Sequence, residues 1–226
     1  MIQLGDVGFR IITDLPRPSE DAVRRLKGAP SAVAADVMGR FHFMDPGIRS
    51  RSGLPLCGPA VTVNARPADN LMVHKVLEIA RPGDVVVVST NGNVTSAVFG
   101  ELLCHAALAS ELGGIVVDGA IRDVEELRRL GFPAFSRSVC PGGCDKDGPG
   151  EINVPVSCGN TVIMPGDVVV GDEDGVTVVP REIADIVAVR VEEHLEREKA
   201  RIAEIRSGRV FRPSIDEHLR SRGIPV

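Results

Sequence analysis

The sequence has no tryptophan and no tyrosine, and only 7 phenylalanines among 226 residues. Without such side chains there is little on which nucleic-acid bases stack and nothing to form an aromatic belt at a membrane surface. Long hydrophobic runs are also missing: none approaches the roughly 18 residues that a membrane-spanning helix needs. Nor is there a basic excess. Lysine and arginine number 26 against 31 aspartates and glutamates, a formal net charge of −5, so the chain lacks the positive footprint that neutralises many phosphates. The first twenty residues carry no basic segment followed by an apolar stretch. The expectation is an unexported, cytoplasmic protein that binds neither nucleic acid nor membrane. Five cysteines (Cys57, Cys104, Cys140, Cys144 and Cys158) are an odd number at irregular spacings. That argues for reduced thiols rather than a disulfide framework. Cys140 and Cys144 would supply two zinc ligands, but a structural zinc site takes four and no second pair follows.

What is present is the pattern of an α/β protein of one domain spanning residues 1–226. Residues 85–88 are four valines in a row, the mark of a strand buried on both faces, and residues 89–97 read as a polar, glycine-bearing loop. Helical apolar spacing then runs through residues 101–112, residues 115–118 form a second buried strand, and an amphipathic segment over residues 124–130 stops at Gly131. Strand, helix and strand in this order make a right-handed parallel crossover. It brings the loops that follow both strands to one edge of the sheet, where α/β proteins bind ligands. Short strands are expected at residues 60–63, 161–164, 168–170 and 176–179, so the sheet is mixed. Residues 21–27 and 69–74 read as short helices. Residues 181–206 form a long charged helix with an apolar stripe too extended for the preceding core, and residues 181–226 are expected as a helical extension at a subunit interface.

The crossover edge collects chemistry. A helix starting at Gly100-Glu101-Leu102-Leu103 offers unpaired backbone N–H groups and the positive end of its dipole to an anion. Arg122 and Asp123, just beyond the second strand, come to the same edge. The arginine fork matches a carboxylate, and the aspartate is a hard oxygen ligand suited to Mg²⁺ or Mn²⁺. Plainer readings stand beside these. Asp123 with Glu126 is also an Asp-x-x-Glu helix cap, the reading that spacing alone favours, and Arg122 has Asp118 and Glu126 as candidate ion-pair partners. Glu101 is an ordinary first-turn acid, His74 a partly buried histidine, and the glycine-rich loop of residues 141–150 with Lys146 a mobile connection.

Gly100-Glu101-Leu102-Leu103, Val117-Asp118-Gly119-Ala120-Ile121-Arg122-Asp123-Val124-Glu125-Glu126-Leu127 and Gly131-Phe132-Pro133 carry a resemblance. They are similar to the signature of the family that joins the regulator of ribonuclease activity A to the class II pyruvate aldolases. Asp69-Asn70, His74, Arg81-Pro82-Gly83-Asp84-Val85, Asn153-Val154-Pro155-Val156, Pro165-Gly166-Asp167 and Asp174-Gly175-Val176 extend it over most of the chain. The resemblance implies an αββα sandwich of the phosphohistidine-domain type, with a mixed central sheet and a long C-terminal helix, assembled as homotrimers or hexamers. It also implies that Asp123 holds the metal, that Arg122 and the amides of Gly100, Glu101, Leu102 and Leu103 hold a 2-oxo acid, and that Glu198 of an adjacent subunit orients water.

The reaction so implied is retro-aldol cleavage of a 4-hydroxy-2-oxo acid, such as 4-hydroxy-4-methyl-2-oxoglutarate or 4-carboxy-4-hydroxy-2-oxoadipate. Oxaloacetate decarboxylation is the related activity. Arg122 adds positive charge beside the forming pyruvate enolate, and Glu101 positions the water that protonates it. None of Lys27, Lys75, Lys146 and Lys199 sits in an apolar strand that would make it a Schiff-base amine. The rivals are a non-catalytic protein that binds a ribonuclease and a racemase-like or hydratase enzyme using the same metal enolate.

Overall fold

The computed structural model describes residues 3–226. Two short strands, β1 (Gln3–Leu4) and β2 (Ile11–Ile12), precede helices α1 (Glu20–Leu26) and α2 (Ser31–Val37) and a further short strand, β3 (Arg49–Ser50). Strand and helix then alternate through β4 (Leu56–Ala65), α3 (Leu71–Val76), β5 (Val85–Phe99), α4 (Glu101–Ala109), β6 (Gly114–Ile121), α5 (Val124–Leu130) and β7 (Ala134–Val139). Short strands follow: β8 (Gly150–Ile152), β9 (Val156–Cys158), β10 (Thr161–Ile163), β11 (Val168–Asp172) and β12 (Gly175–Val179). A 3₁₀ turn (Arg181–Ile183) leads into α6 (Ala184–Arg206) and α7 (Pro213–Ser221).

β4, β5, β6 and β7 lie side by side and parallel, while β8 joins β4 and β3 joins β7 antiparallel. The sheet is therefore mixed. β4 also pairs through residues 56–59 with β11, which carries β12 beside it. The valine runs show how the layers form, because alternate side chains of a strand point to opposite faces. Val86 and Val88 pack with Val73, Leu103, Cys104 and Leu127 under α3, α4 and α5. Val85 and Val87 face Val169, Val176 and Val178 of the β11–β12 layer. On that layer's outer face, Val168, Val170 and Val179 meet Ala22, Ala34, Val187 and Val191 of α1, α2 and α6. Helices, two β layers and helices again make the αββα sandwich.

Two local expectations change, and one helix end draws its cap from far along the chain. β5 does not end at residue 88 but continues to Phe99, with register shifts against β6 between residues 89 and 99 and positive φ at Asn91 and Gly92. These irregularities break the alternation that marks a strand. Helix α4 stops at Ala109 rather than at residue 112. Helix α2 has no cap of its own in the sequence: Asp172, from the distant strand β11, accepts from the Ser31 N–H at 2.7 Å and the Ser31 hydroxyl at 2.6 Å.

At the C-terminus, α6 is buried only through Ala184, Val187, Ala188 and Val191, and Ile202 and Ile205 are exposed. α7 has no buried residue. Among the described residues, no helix is long and apolar enough to cross a membrane.

Candidate active site

β5 and β6 end side by side, and the Arg122 N–H donates to the Phe99 carbonyl at 2.9 Å, which brings Gly100 against Arg122 and Asp123. Asp123 takes a left-handed backbone conformation (φ 56°, ψ 36°) and makes no side-chain cap on its own helix α5. Its Oδ2 instead accepts from the Glu101 N–H of α4 at 3.0 Å. The expected Asp-x-x-Glu cap is thus overturned, because the left-handed turn aims the carboxylate at the neighbouring helix. The Arg122 Nε lies 3.5 Å from the same oxygen. Neither structural partner suggested for Arg122 is free: Asp118 accepts from Arg137 Nε at 2.5 Å and from the Gly159 N–H at 2.8 Å, and Glu126 pairs with Arg129.

Gly100 has ordinary extended backbone (φ −163°), so its need for glycine is steric. A Cβ there would lie 2.6 Å from Asp123 Oδ2 and 2.9 Å from Arg122 Cγ. Gly100→Ala is expected to displace both side chains, to lower turnover on the order of 10- to 100-fold and, by breaking the contact of Asp123 with the Glu101 N–H, to lower the melting temperature by roughly 2–4 °C. A normal rate in the variant would show that the close approach is unimportant.

Gly100 and Arg122, with Asp123 behind them, belong to a cleft of about 290 Å³, lined by residues 97–103, Arg122, Asn70, His74, Gly143, Cys144 and Lys146. The N–H groups of Leu102 and Leu103 find no acceptor within the described residues. With Arg122 and Lys146 they give the cleft two cations and an anion-seeking helix end against one acid, Glu101. Leu102 is 83% exposed. Burial, followed by the charge of Lys146, lowers the His74 pKa from its ordinary value, which favours the neutral imidazole. Burial, then the carboxylates of Asp69 and Asp145, raise that of Cys144, whose thiol donates to the Ala97 carbonyl at 3.2 Å. It is a thiol rather than a nucleophilic thiolate.

The structure brings Gly100, Glu101, Leu102, Leu103, Arg122 and Asp123 together, but the Glu101 N–H, expected to hold the 2-oxo acid, donates to Asp123 instead. The same cleft is also lined by Asn70 and His74 and by Lys146, whose loop of residues 141–150, expected as a mobile connection, is held by hydrogen bonds. The buried Asp69 carboxylate holds that loop. It accepts from Asp147 N–H and Gly148 N–H, both at 2.8 Å, and from Leu71 N–H at 2.9 Å, with Arg66 at 3.4 Å. Burial alone would raise the Asp69 pKa, but these donors outweigh it and hold the carboxyl below its usual range. Backbone bonds from Asn70 N–H to the Asp145 carbonyl (3.0 Å) and from Ala97 N–H to the Gly142 carbonyl (2.8 Å) complete the attachment. Glu198 does not reach this cleft within the chain. It lies on α6, 3.4 Å from His194 Nε2, in a groove with Arg197, Arg201 and Arg212.

Among the described residues, no three His, Cys, Asp or Glu side chains cluster as a metal cage. Asp123 offers one carboxylate, with no hydrogen bond to Oδ1 among the described residues, beside an open cleft. That donor set fits an oxygen-seeking ion that keeps most of its waters, as Mg²⁺ and Mn²⁺ do, and not a four-ligand zinc site.

The family model described as RraA-like: Aldolase/RraA matches residues 31–178. A Halalkalibacterium halodurans protein provisionally named 4-hydroxy-4-methyl-2-oxoglutarate aldolase is 42% identical over 162 residues, 71% of this chain and 77% of its own. The 4-hydroxy-4-methyl-2-oxoglutarate aldolase of Thermus thermophilus is 36% identical over 112 residues, 50% of this chain and 68% of its own. Among solved structures, Streptomyces coelicolor RraAS2, described as an unusual member of the RNase ES inhibitor RraA protein family, superposes with a TM-score of 0.74 at 30% identity. The match covers 84% of this chain and 100% of that one.

Proposed function

Because the chain belongs to the RraA-like family of aldolases and RraA proteins, we propose that it is a divalent-metal-dependent, class II aldolase that cleaves a 4-hydroxy-2-oxo acid to pyruvate. Oxaloacetate decarboxylation would be its side activity. The observation that carries this reading is the approach of Arg122 and Asp123 to Gly100 at the open N-terminus of α4. Mg²⁺ or Mn²⁺ at Asp123 would supply Lewis-acid stabilisation of negative charge on the 2-oxo acid.

The chain's own groups divide the remaining work. The Leu102 and Leu103 N–H groups and the helix dipole hold the substrate's C1 carboxylate. As the 4-hydroxyl passes its proton to a water in the cleft and the C3–C4 bond breaks, the bond electrons pass to the three-carbon fragment. The Arg122 guanidinium donates to the oxygen on which their charge collects. Glu101 positions the water that then protonates C3. Across the cleft, Lys146 presents its ammonium to a second carboxylate, which suits 4-hydroxy-4-methyl-2-oxoglutarate or 4-carboxy-4-hydroxy-2-oxoadipate. Glu198 of a second copy, in a homotrimer or hexamer assembled through residues 181–226, would complete the site. The partly exposed stripe of α6 beyond Val191 supports that role.

The likeness to RraAS2 favours a second reading, a protein-binding regulator of a ribonuclease. Pyruvate release measured over a panel of 4-hydroxy-2-oxo acids, with and without Mg²⁺, separates the two. The aldolase reading expects metal-dependent release from at least one panel member. Release from none, or adduct trapping by borohydride, would refute it.

A further inference from the structure

The buried carboxylate of Asp69 is used by none of the steps above, yet it is the point where the two walls of the cleft meet. Its Oδ1 accepts from Leu71 N–H, at the start of the helix that carries His74, and its Oδ2 from Asp147 N–H and Gly148 N–H, in the loop that carries Lys146. The loop partners lie 78 and 79 residues away in sequence. Lys146 itself is exposed and has no acidic partner among the described residues, so no ion pair holds it in place. Its position over the cleft follows from the backbone on either side: Asp145 N–H donates to the Ala68 carbonyl at 2.9 Å, and the next two residues, Asp147 and Gly148, donate to Asp69.

We propose that Asp69 is the positioning residue for the far end of the substrate: it fixes the backbone around Lys146 and so sets the preference of the cleft for 2-oxo acids that carry a second carboxylate. The inference rests on the assignment of Lys146 given above. An asparagine at this position would keep one accepting oxygen, but its NH₂ would face N–H groups at Leu71 or at Asp147 and Gly148, donor against donor. Residue 69 would then lose either its bond to the start of the helix or its two bonds to the loop, and no longer tie the one to the other.

The test is calorimetric binding of 2-oxoglutarate and of pyruvate to the full chain in Mg²⁺ buffer. For the native protein, 2-oxoglutarate should bind more tightly. Asp69→Asn and Lys146→Met should each reduce the ratio of the two affinities on the order of 10-fold, as for loss of one charged contact. The double variant should reduce it no further, since both changes remove the same interaction. Effects that multiply in the double variant, or an Asp69→Asn protein that melts earlier with its affinity ratio unchanged, would overturn the proposal. Should Asp69→Asn fail to fold, Asp69→Ser, which keeps a single acceptor, serves in its place. A chain that shows the expected ratios but releases no pyruvate from any hydroxy-oxo acid would refute the aldolase reading while supporting the positioning role.

Discussion

Asp123→Ala is expected to abolish pyruvate release, by on the order of 10³-fold or more, and excess chelator should do the same to the unaltered protein, with activity restored by Mg²⁺ or Mn²⁺. The alanine variant confounds two effects, because Asp123 Oδ2 also accepts the Glu101 N–H that opens α4. Loss of such a cap costs about 1 kcal/mol, or roughly 2–4 °C in melting temperature for a chain of this size. Asp123→Asn separates them. The amide keeps an oxygen for the Glu101 N–H but carries no charge to hold a cation. Both variants should be inactive, and only the alanine should melt earlier. An asparagine variant with more than about a tenth of the native rate would remove Asp123 from the role of ligand.

Arg122→Lys has the next largest expected effect, a fall in turnover on the order of 10²-fold with melting unchanged. Lysine keeps the charge but not the planar fork, and the loss of one preorganised donor to a developing oxyanion has about this magnitude. The melting temperature should hold because Arg122 is 45% exposed and its nearest ionic contact, Asp123, is 3.5 Å away. Steady-state kinetics together with thermal melts decide the matter. An early melt with a normal rate per folded molecule would make Arg122 a structural residue only.

Much of this architecture was legible because the valine runs and glycine stops are local signals. Residues 85–88 read as a buried strand, and they are one, down to the division of alternate side chains between two cores. The rest depended on contacts with no local trace. The cap of α2 comes from Asp172, and the loop bearing Lys146 is tied down by Asp69, so a glycine-rich stretch that reads as mobile is a hydrogen-bonded wall of the cleft. Of the site, the half that lies at the ends of two adjacent strands (Gly100, Glu101, Arg122 and Asp123) followed from the crossover rule. For Asp123, spacing alone favoured a cap that the structure does not form. Spacing to Glu126 is all that a sequence shows of a capping box, and the left-handed backbone that turns the carboxylate away is invisible in it.

That left-handed turn bears on how such a chain changes over generations. Asparagine is among the residues that best tolerate the conformation, it can still receive the Glu101 N–H, and its codons differ from those of aspartate by a single base. If Asp123 holds the metal as proposed, a lineage released from selection for catalysis loses the reaction at position 123 in one mutational step, and the unchanged melting expected of the asparagine variant leaves no folding penalty to expose the loss. The scaffold is then free to be kept for whatever its outer surfaces bind. The same ease means that a screen for thermal stability alone would not retain the aspartate.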